Sequence, residues 1–216
     1  MALPTIPDYP LPTNLPAPRA PYALQPGRAA LLIHDMQRYF CAAYGPDALE
    51  RDASPLAQAA QGIARIAAAA RVAGMPVFYT AQKGDQFRPD RGLQADLWGP
   101  GMQAIPEHEA IIAPLAPEAG DITLVKHRYS AFQRSNLERL LRARGRDQLV
   151  ITGIYAHIGC LATAAEAFQR DVEPFFVADA LADFSRERHE MAVNWVASCA
   201  GVPLSVAQAT ARIEGA

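Results

Sequence analysis

Six short, largely apolar runs recur along the chain, separated by polar turns and alanine-rich stretches. The first is Ala29-Ala30-Leu31-Leu32-Ile33-His34-Asp35, ending in two polar residues. Pro76 to Gln82, Ile122 to Lys126, Leu149 to Thr152, Phe175 to Asp179 and Val202 to Val206 follow. Their length and β-branched and aromatic content predict buried strands. Between them the pattern changes to helix. Residues 55–74 are alanine-rich, enter at Ser54-Pro55 and stop at Gly74, which predicts a long helix. Ser135 to Arg144 reads as a second, stopped by Gly145, and Leu161 to Phe168 is rich in helix formers. A last helix is predicted over Arg186 to Ala200, capped by Asp183 or Ser185 without a full capping box, because Arg188 stands where Glu or Gln would complete it. Alternating apolar strands and helices imply an α/β fold, a three-layer α/β/α arrangement with a six-stranded parallel sheet covered on both faces.

Two segments break the pattern. Residues 1–27 hold eight prolines with Leu3, Ile6, Tyr9, Leu11, Leu15, Tyr22 and Leu24 among them. Proline excludes helix and central strand there, and the interspersed apolar residues are unlike a solvated linker. We expect an N-terminal arm packed on the body, with residues 28–216 as a single domain. Residues 83–121 form the second exception, a long loop without clear periodicity that holds Arg88, Arg91, Trp98 and Gly99-Pro100-Gly101-Met102. Long loops in compact domains are usually functional or mobile.

Composition narrows the possible partners. Of 216 residues, half are hydrophobic, 19% are charged, and the net charge is −2, so neither nucleic acid nor a membrane surface is expected as a partner. The apolar runs are too short to cross a bilayer, and no basic-then-apolar leader pattern opens the chain. Cys41, Cys160 and Cys199 lack a CxxC spacing, which fits a reducing cytoplasm. Cys41 and Cys199 are expected to pack as small apolar groups, and Trp195 to serve the core or a dimer contact.

Candidate chemistry gathers at the strand ends. In a doubly wound sheet, ligands sit beyond the carboxyl ends of the strands. His34-Asp35-Met36-Gln37, Thr80-Ala81-Gln82, Lys126-His127-Arg128-Tyr129 and the turn Gly153-Ile154-Tyr155-Ala156-His157-Ile158-Gly159-Cys160 all fall at such ends. An acid, an amide, an ammonium and a turn rich in backbone donors thus converge on one crevice. His34 or His157 beside Asp35 invites a metal, but no third ligand has suitable spacing, so neither metal nor cofactor is expected. His157 is expected to fix the turn or a substrate hydroxyl, and Arg128 to touch substrate or join a structural ion pair.

Asp35, Lys126 and the Gly153-to-Cys160 turn resemble the isochorismatase-like hydrolase superfamily. Its amide hydrolases use an Asp, a Lys and a Cys six residues after the turn's first glycine; here that position is Gly159, and Cys160 follows. The closer resemblance is to the isochorismatases proper, which need no nucleophile. It rests on Leu32-Ile33-His34-Asp35-Met36-Gln37, Asp96-Leu97-Trp98-Gly99-Pro100-Gly101, Lys126-His127-Arg128-Tyr129-Ser130-Ala131-Phe132 and Val177-Ala178-Asp179-Ala180-Leu181-Ala182-Asp183-Phe184-Ser185. The resemblance covers almost the whole chain. It implies a Rossmann-like fold, a cytoplasmic homodimer, a cis Ile154–Tyr155 bond, and a place in siderophore or phenazine secondary metabolism. It also implies hydrolysis of isochorismate, or its 2-amino-2-deoxy analogue, to pyruvate and a dihydro-dihydroxybenzoate or dihydro-hydroxyanthranilate. Nothing after residue 208 is long enough for an aryl carrier domain, so a stand-alone enzyme is expected.

The chemistry asks for an acid. Protonating the enolpyruvyl methylene gives an oxocarbenium ion that water captures, and Asp35 is the candidate donor. Lys126 would orient Asp35 and balance charge; Arg91 suits bidentate carboxylate binding. The Gly159 N–H and the Tyr155 hydroxyl would hold the other carboxylate of this small dianion, Gln82 the transferred group or water, and Trp98 would wall the ring. Two alternatives stay open: an amidohydrolase with Cys160 as nucleophile after a one-residue shift of the turn, and a silent binding member of the superfamily.

Overall fold

The computed structural model describes residues 3–215. Strand β1 (Ala29–His34) is followed by the short helix α1 (Arg38–Cys41) and the long α2 (Pro55–Val72), then β2 (Val77–Ala81). Three short helices, α3 (Arg88–Arg91), α4 (Leu93–Trp98) and α5 (Pro106–Glu109), lie within the 83–121 stretch read as patternless; each is too brief to show a helical period. Then come β3 (Ile122–Val125), α6 (Leu137–Ala143), β4 (Gln148–Ile154), α7 (Leu161–Gln169), β5 (Glu173–Ala182), α8 (Arg186–Cys199), β6 (Val202–Leu204) and α9 (Val206–Glu214). The six strands pair in parallel in the order β3-β2-β1-β4-β5-β6.

Strand alternation divides the core. Leu31 and Ile33 face a cluster built with α2, α9 and the arm, while Ala30 and Leu32 face one built with α6, α7 and α8. Both sides of β1 are therefore buried, which is why its sequence is apolar throughout. Residues 3–27 run extended over the body, with Ile6, Tyr9, Leu11 and Leu24 buried on the first face and Leu15 packed against the second. The Ile6 N–H donates to Ala43 O and the Arg19 N–H to Ala197 O.

Two sequence expectations need correction. The run Val202–Val206 stops being strand at Leu204, and α9 follows, a helix the sequence reading missed. Ser205 and Gln208 form a reciprocal capping box there, a readable signal. Cys199 is exposed, with Sγ near Trp195 O, and does not pack in the core; Cys41 does. Ser185 caps α8 by accepting the Arg188 N–H. Among the described residues no helix is long and apolar enough to cross a membrane.

Candidate active site

The strand order reverses direction between β1 and β4, and the crevice at that switch point holds the candidate residues. Asp35 follows β1 with φ +51°, a left-handed geometry that Asp tolerates better than most residues. Its Oδ2 meets Lys126 Nζ at 2.8 Å, and its Oδ1 accepts from Thr80 Oγ1 at 2.6 Å. Lys126 is only 1% exposed. Its remaining donors go to Arg128 O at 2.8 Å and Tyr129 O at 3.3 Å, so all three ammonium protons have partners. Burial pushes the Asp35 carboxyl up, but Lys126, neighbouring His34 and Thr80 outweigh it and hold it below its ordinary value. His34 is fully buried, and burial lowers its pKa to about 4, so the ring is neutral at pH 7.

Above this pair opens a small, partly open pocket with a free volume of about 60 Å³. Gln82, Arg91, Trp98, Tyr155 and Gly159 all line it, as do His34, Asp35 and Lys126. Arg91 is 7% exposed, and its Nε donates to Gly99 O at 2.7 Å. Burial lowers its pKa, and only Tyr39 and Tyr129 oppose this; no carboxylate among the described residues pairs with it. A buried guanidinium without an anion is a costly arrangement that a bound carboxylate would relieve. The Gln82 backbone is gripped from both sides by Gln37, whose Oε1 accepts Gln82 N–H at 2.7 Å and whose Nε2 donates to Gln82 O at 2.8 Å. Trp98 Nε1 donates to the Tyr129 hydroxyl at 2.7 Å, which fixes the indole as a wall.

The Tyr155 hydroxyl differs from expectation. It donates to Phe40 O at 2.6 Å, so it is not a free donor for a substrate carboxylate, and the ring faces the pocket in edge contact with Phe184. Arg128 likewise donates to the carbonyls of Asp90 and His127 and makes no ion pair among the described residues, clamping the loop from behind.

The Ile154–Tyr155 peptide is cis. Residues Ala156–Cys160 then wind as a single wide helical turn before α7. Cys160 is fully buried among apolar residues of the α7 side, with Sγ 4.0 Å from Thr152 O, and burial pushes its thiol well up. It does not line the pocket. His157 fixes the turn: its N–H and Nδ1 both engage the buried Asp183 carboxylate. Among the described residues no group of three or more His, Cys, Asp or Glu side chains is placed to hold a metal.

A family model described as the isochorismatase domain matches residues 29–208. The chain belongs to the isochorismatase family. It is 50% identical over 199 residues to an isochorismatase of Bacillus subtilis (strain 168), covering 91% of this chain and 62% of that one. It is 49% identical over 203 residues to a phenazine biosynthesis protein of Pseudomonas fluorescens, covering 93% and 95%. The chain therefore spans under two thirds of the Bacillus isochorismatase's length. Among solved structures, a cysteine hydrolase from Pseudomonas syringae pv. phaseolicola 1448A superposes with a TM-score of 0.77 at 24% identity, covering 93% of this chain and 98% of that one. That likeness speaks to the fold alone.

In this isochorismatase-family pocket, several walls escaped the sequence reading: Tyr39, Phe40, Gln94, Ile158, Phe184 and Leu3 of the arm. Phe184 had a readable neighbour. Asp183 lies just past the end of β5, and its backbone N–H donates to the arm's Tyr9 hydroxyl at 2.7 Å, which anchors this strand end.

Proposed function

We propose that this chain hydrolyses the enolpyruvyl vinyl ether of isochorismate, or of 2-amino-2-deoxyisochorismate, with Asp35 as general acid. One observation carries the reading: a buried carboxylate–ammonium pair lies at the foot of a largely apolar pocket whose other buried cation, Arg91, has no anionic partner among the described residues. That arrangement offers a proton donor and an anchor for a dianion, with no nucleophilic side chain at position 159.

The Asp35 carboxyl proton passes to the terminal methylene carbon, and the double-bond electrons form the new C–H bond. The oxocarbenium ion left behind is captured by water, whose spare proton returns to Asp35. The hemiketal then collapses, breaking the ether C–O bond to give pyruvate and the ring alcohol: a dihydro-dihydroxybenzoate from isochorismate, a dihydro-hydroxyanthranilate from the amino analogue. Asp35 starts as a carboxylate, so it must gain its proton in the complex, where the substrate's two negative charges favour the neutral acid. Lys126 orients it and offsets charge, Arg91 grips one carboxylate, the Gly159 N–H is assigned the other, Gln82 holds the transferred group or water, and Trp98 and Tyr155 exclude solvent. The burial of Cys160 supports acid rather than thiol chemistry.

Pyruvate release from each substrate, followed by a coupled assay, tests the reading; a folded protein that releases none from either would overturn it. We also assign a cytoplasmic homodimer. Three free cysteines suit a reducing compartment, and exposed Met191 and Trp195, four residues apart on α8, suit a partner contact. A monomer mass in sedimentation at micromolar concentration would remove the dimer.

A further inference from the structure

We propose that the His34 imidazole is a plug that keeps this site closed to nucleophilic side chains, and that Gly159 is bare because His34 occupies its side-chain space. A Cβ built on Gly159 would lie 2.2 Å from His34 Cε1, 2.9 Å from Nε2 and 3.0 Å from Nδ1. Such distances do not occur between unbonded atoms, so one of the two residues would have to move. The ring has nowhere to go. It is fully buried between two backbone carbonyls, Ile154 O at the end of β4 2.9 Å from Nδ1 and Tyr129 O 3.2 Å from Nε2, and the neutral ring donates its single N–H to one of them. The opposite side is equally filled: Gly153 has φ +109°, and a Cβ there would sit 2.2 Å from His34 O. The two glycines that bracket the turn thus make room for one residue, Gly153 for its backbone and Gly159 for its side chain.

What the plug excludes follows from the location. Gly159 lines the pocket together with Asp35 and Lys126, so a thiol at 159 would start beside a carboxylate base and an ammonium. Those are the groups that activate a cysteine. His34 therefore decides the class of chemistry: with the ring in place, the Asp35–Lys126 pair can serve a proton donor but no covalent nucleophile. His34 is a positioning residue in this account. The inference deepens the proposed hydrolysis, yet it rests on that reading only for its meaning, because its test uses no vinyl ether.

The test is a change of sign. Gly159 lies in a helical turn outside the left-handed region, where alanine is intrinsically favoured over glycine. Gly159→Ala alone should lower Tm. In a His34→Ala background the same substitution should raise Tm or leave it unchanged. Chemical reactivity supplies the second readout, with Cys199→Ser introduced throughout to remove the exposed thiol. Iodoacetamide should label the introduced thiol of Gly159→Cys/His34→Ala at least tenfold faster than Cys160 of the parent. The sulfur displaces iodide, and the thiol proton passes to Asp35 or solvent. Two results would overturn the plug: Gly159→Ala costing the same with and without His34, or Gly159→Cys alone folding at the parent Tm and labelling as fast as the double variant. A failure to release pyruvate would leave both measurements intact and would count only against the hydrolysis.

Discussion

Asp35 is pulled two ways. The Lys126 ammonium 2.8 Å away favours its carboxylate, whereas the chemistry assigned to it needs the carboxylic acid. Asp35→Asn separates these demands, since it keeps the shape and loses the proton. We expect kcat to fall at least ~10²-fold with substrate binding retained; near-normal turnover would remove Asp35 from the mechanism. The same change leaves Lys126 buried without a counter-charge, so unfolding should also become easier, by up to roughly 3–5 kcal/mol if nothing relaxes. Arg91 is the second residue to probe. Arg91→Ala should raise KM about 10- to 100-fold, a charge-assisted hydrogen bond being worth ~1.5–3 kcal/mol. Arg91→Lys should not restore it, because a point charge cannot replace the planar fork; unchanged kinetics in both would make Arg91 a scaffold group for Gly99. Asp35, Lys126 and Gln82 were legible in the sequence because strand ends and the crevice share one geometry. The bond made by the Tyr155 hydroxyl is not legible in the sequence, because its partner, Phe40 O, sits on a different element 115 residues away.

Elements with a period, or with a proline signature, were equally legible: the six strands, α2, α8 and the extended arm. The 83–121 helices and α9 were not. One-turn helices have no period to read, and α9 is hidden because Val206 extends the apolar run of β6 although it is the first residue after the Ser205 cap. The arm matters to the site through Tyr9. Its hydroxyl accepts the Asp183 N–H at 2.7 Å and faces His189 Nδ1 at 3.2 Å, tying residues 3–27 to the segment that carries Phe184. Tyr9→Phe keeps the packed ring and removes both bonds. With Asp183 N–H and His189 Nδ1 left buried and unpaired, Tm should fall by roughly 2–6 °C. Because Phe184 walls the pocket, KM should rise more than kcat falls. A variant with parent Tm and parent KM would show that the arm only covers the sheet.

At the scale of the whole molecule, the fold buries two histidines in neutral form, and this sets how it responds to acid. His34 faces Asp35 and Lys126, and His189 faces Tyr9, Asp183 and Glu190. Burial is the leading cause in both and lowers each to about 4 from the ordinary 6.5. Below pH 6.5 the unfolded chain takes up protons at these positions while the folded chain refuses them. The stability they confer is therefore complete above pH 6.5 and is lost as pH falls towards 4, by up to about 1.4 kcal/mol per pH unit for each histidine. Asp35 acts in a separate window: its folded value is depressed, so its contribution is lost only below the ordinary carboxylate range. Urea unfolding between pH 7.5 and 4.5 should show stability falling steadily below pH 6.5. His189→Asn retains an acceptor for Tyr9 and cannot titrate, so it should halve that slope. A flat profile across the window would mean that both buried rings accept protons in the folded state, and an unchanged slope in the variant would remove His189 as a contributor.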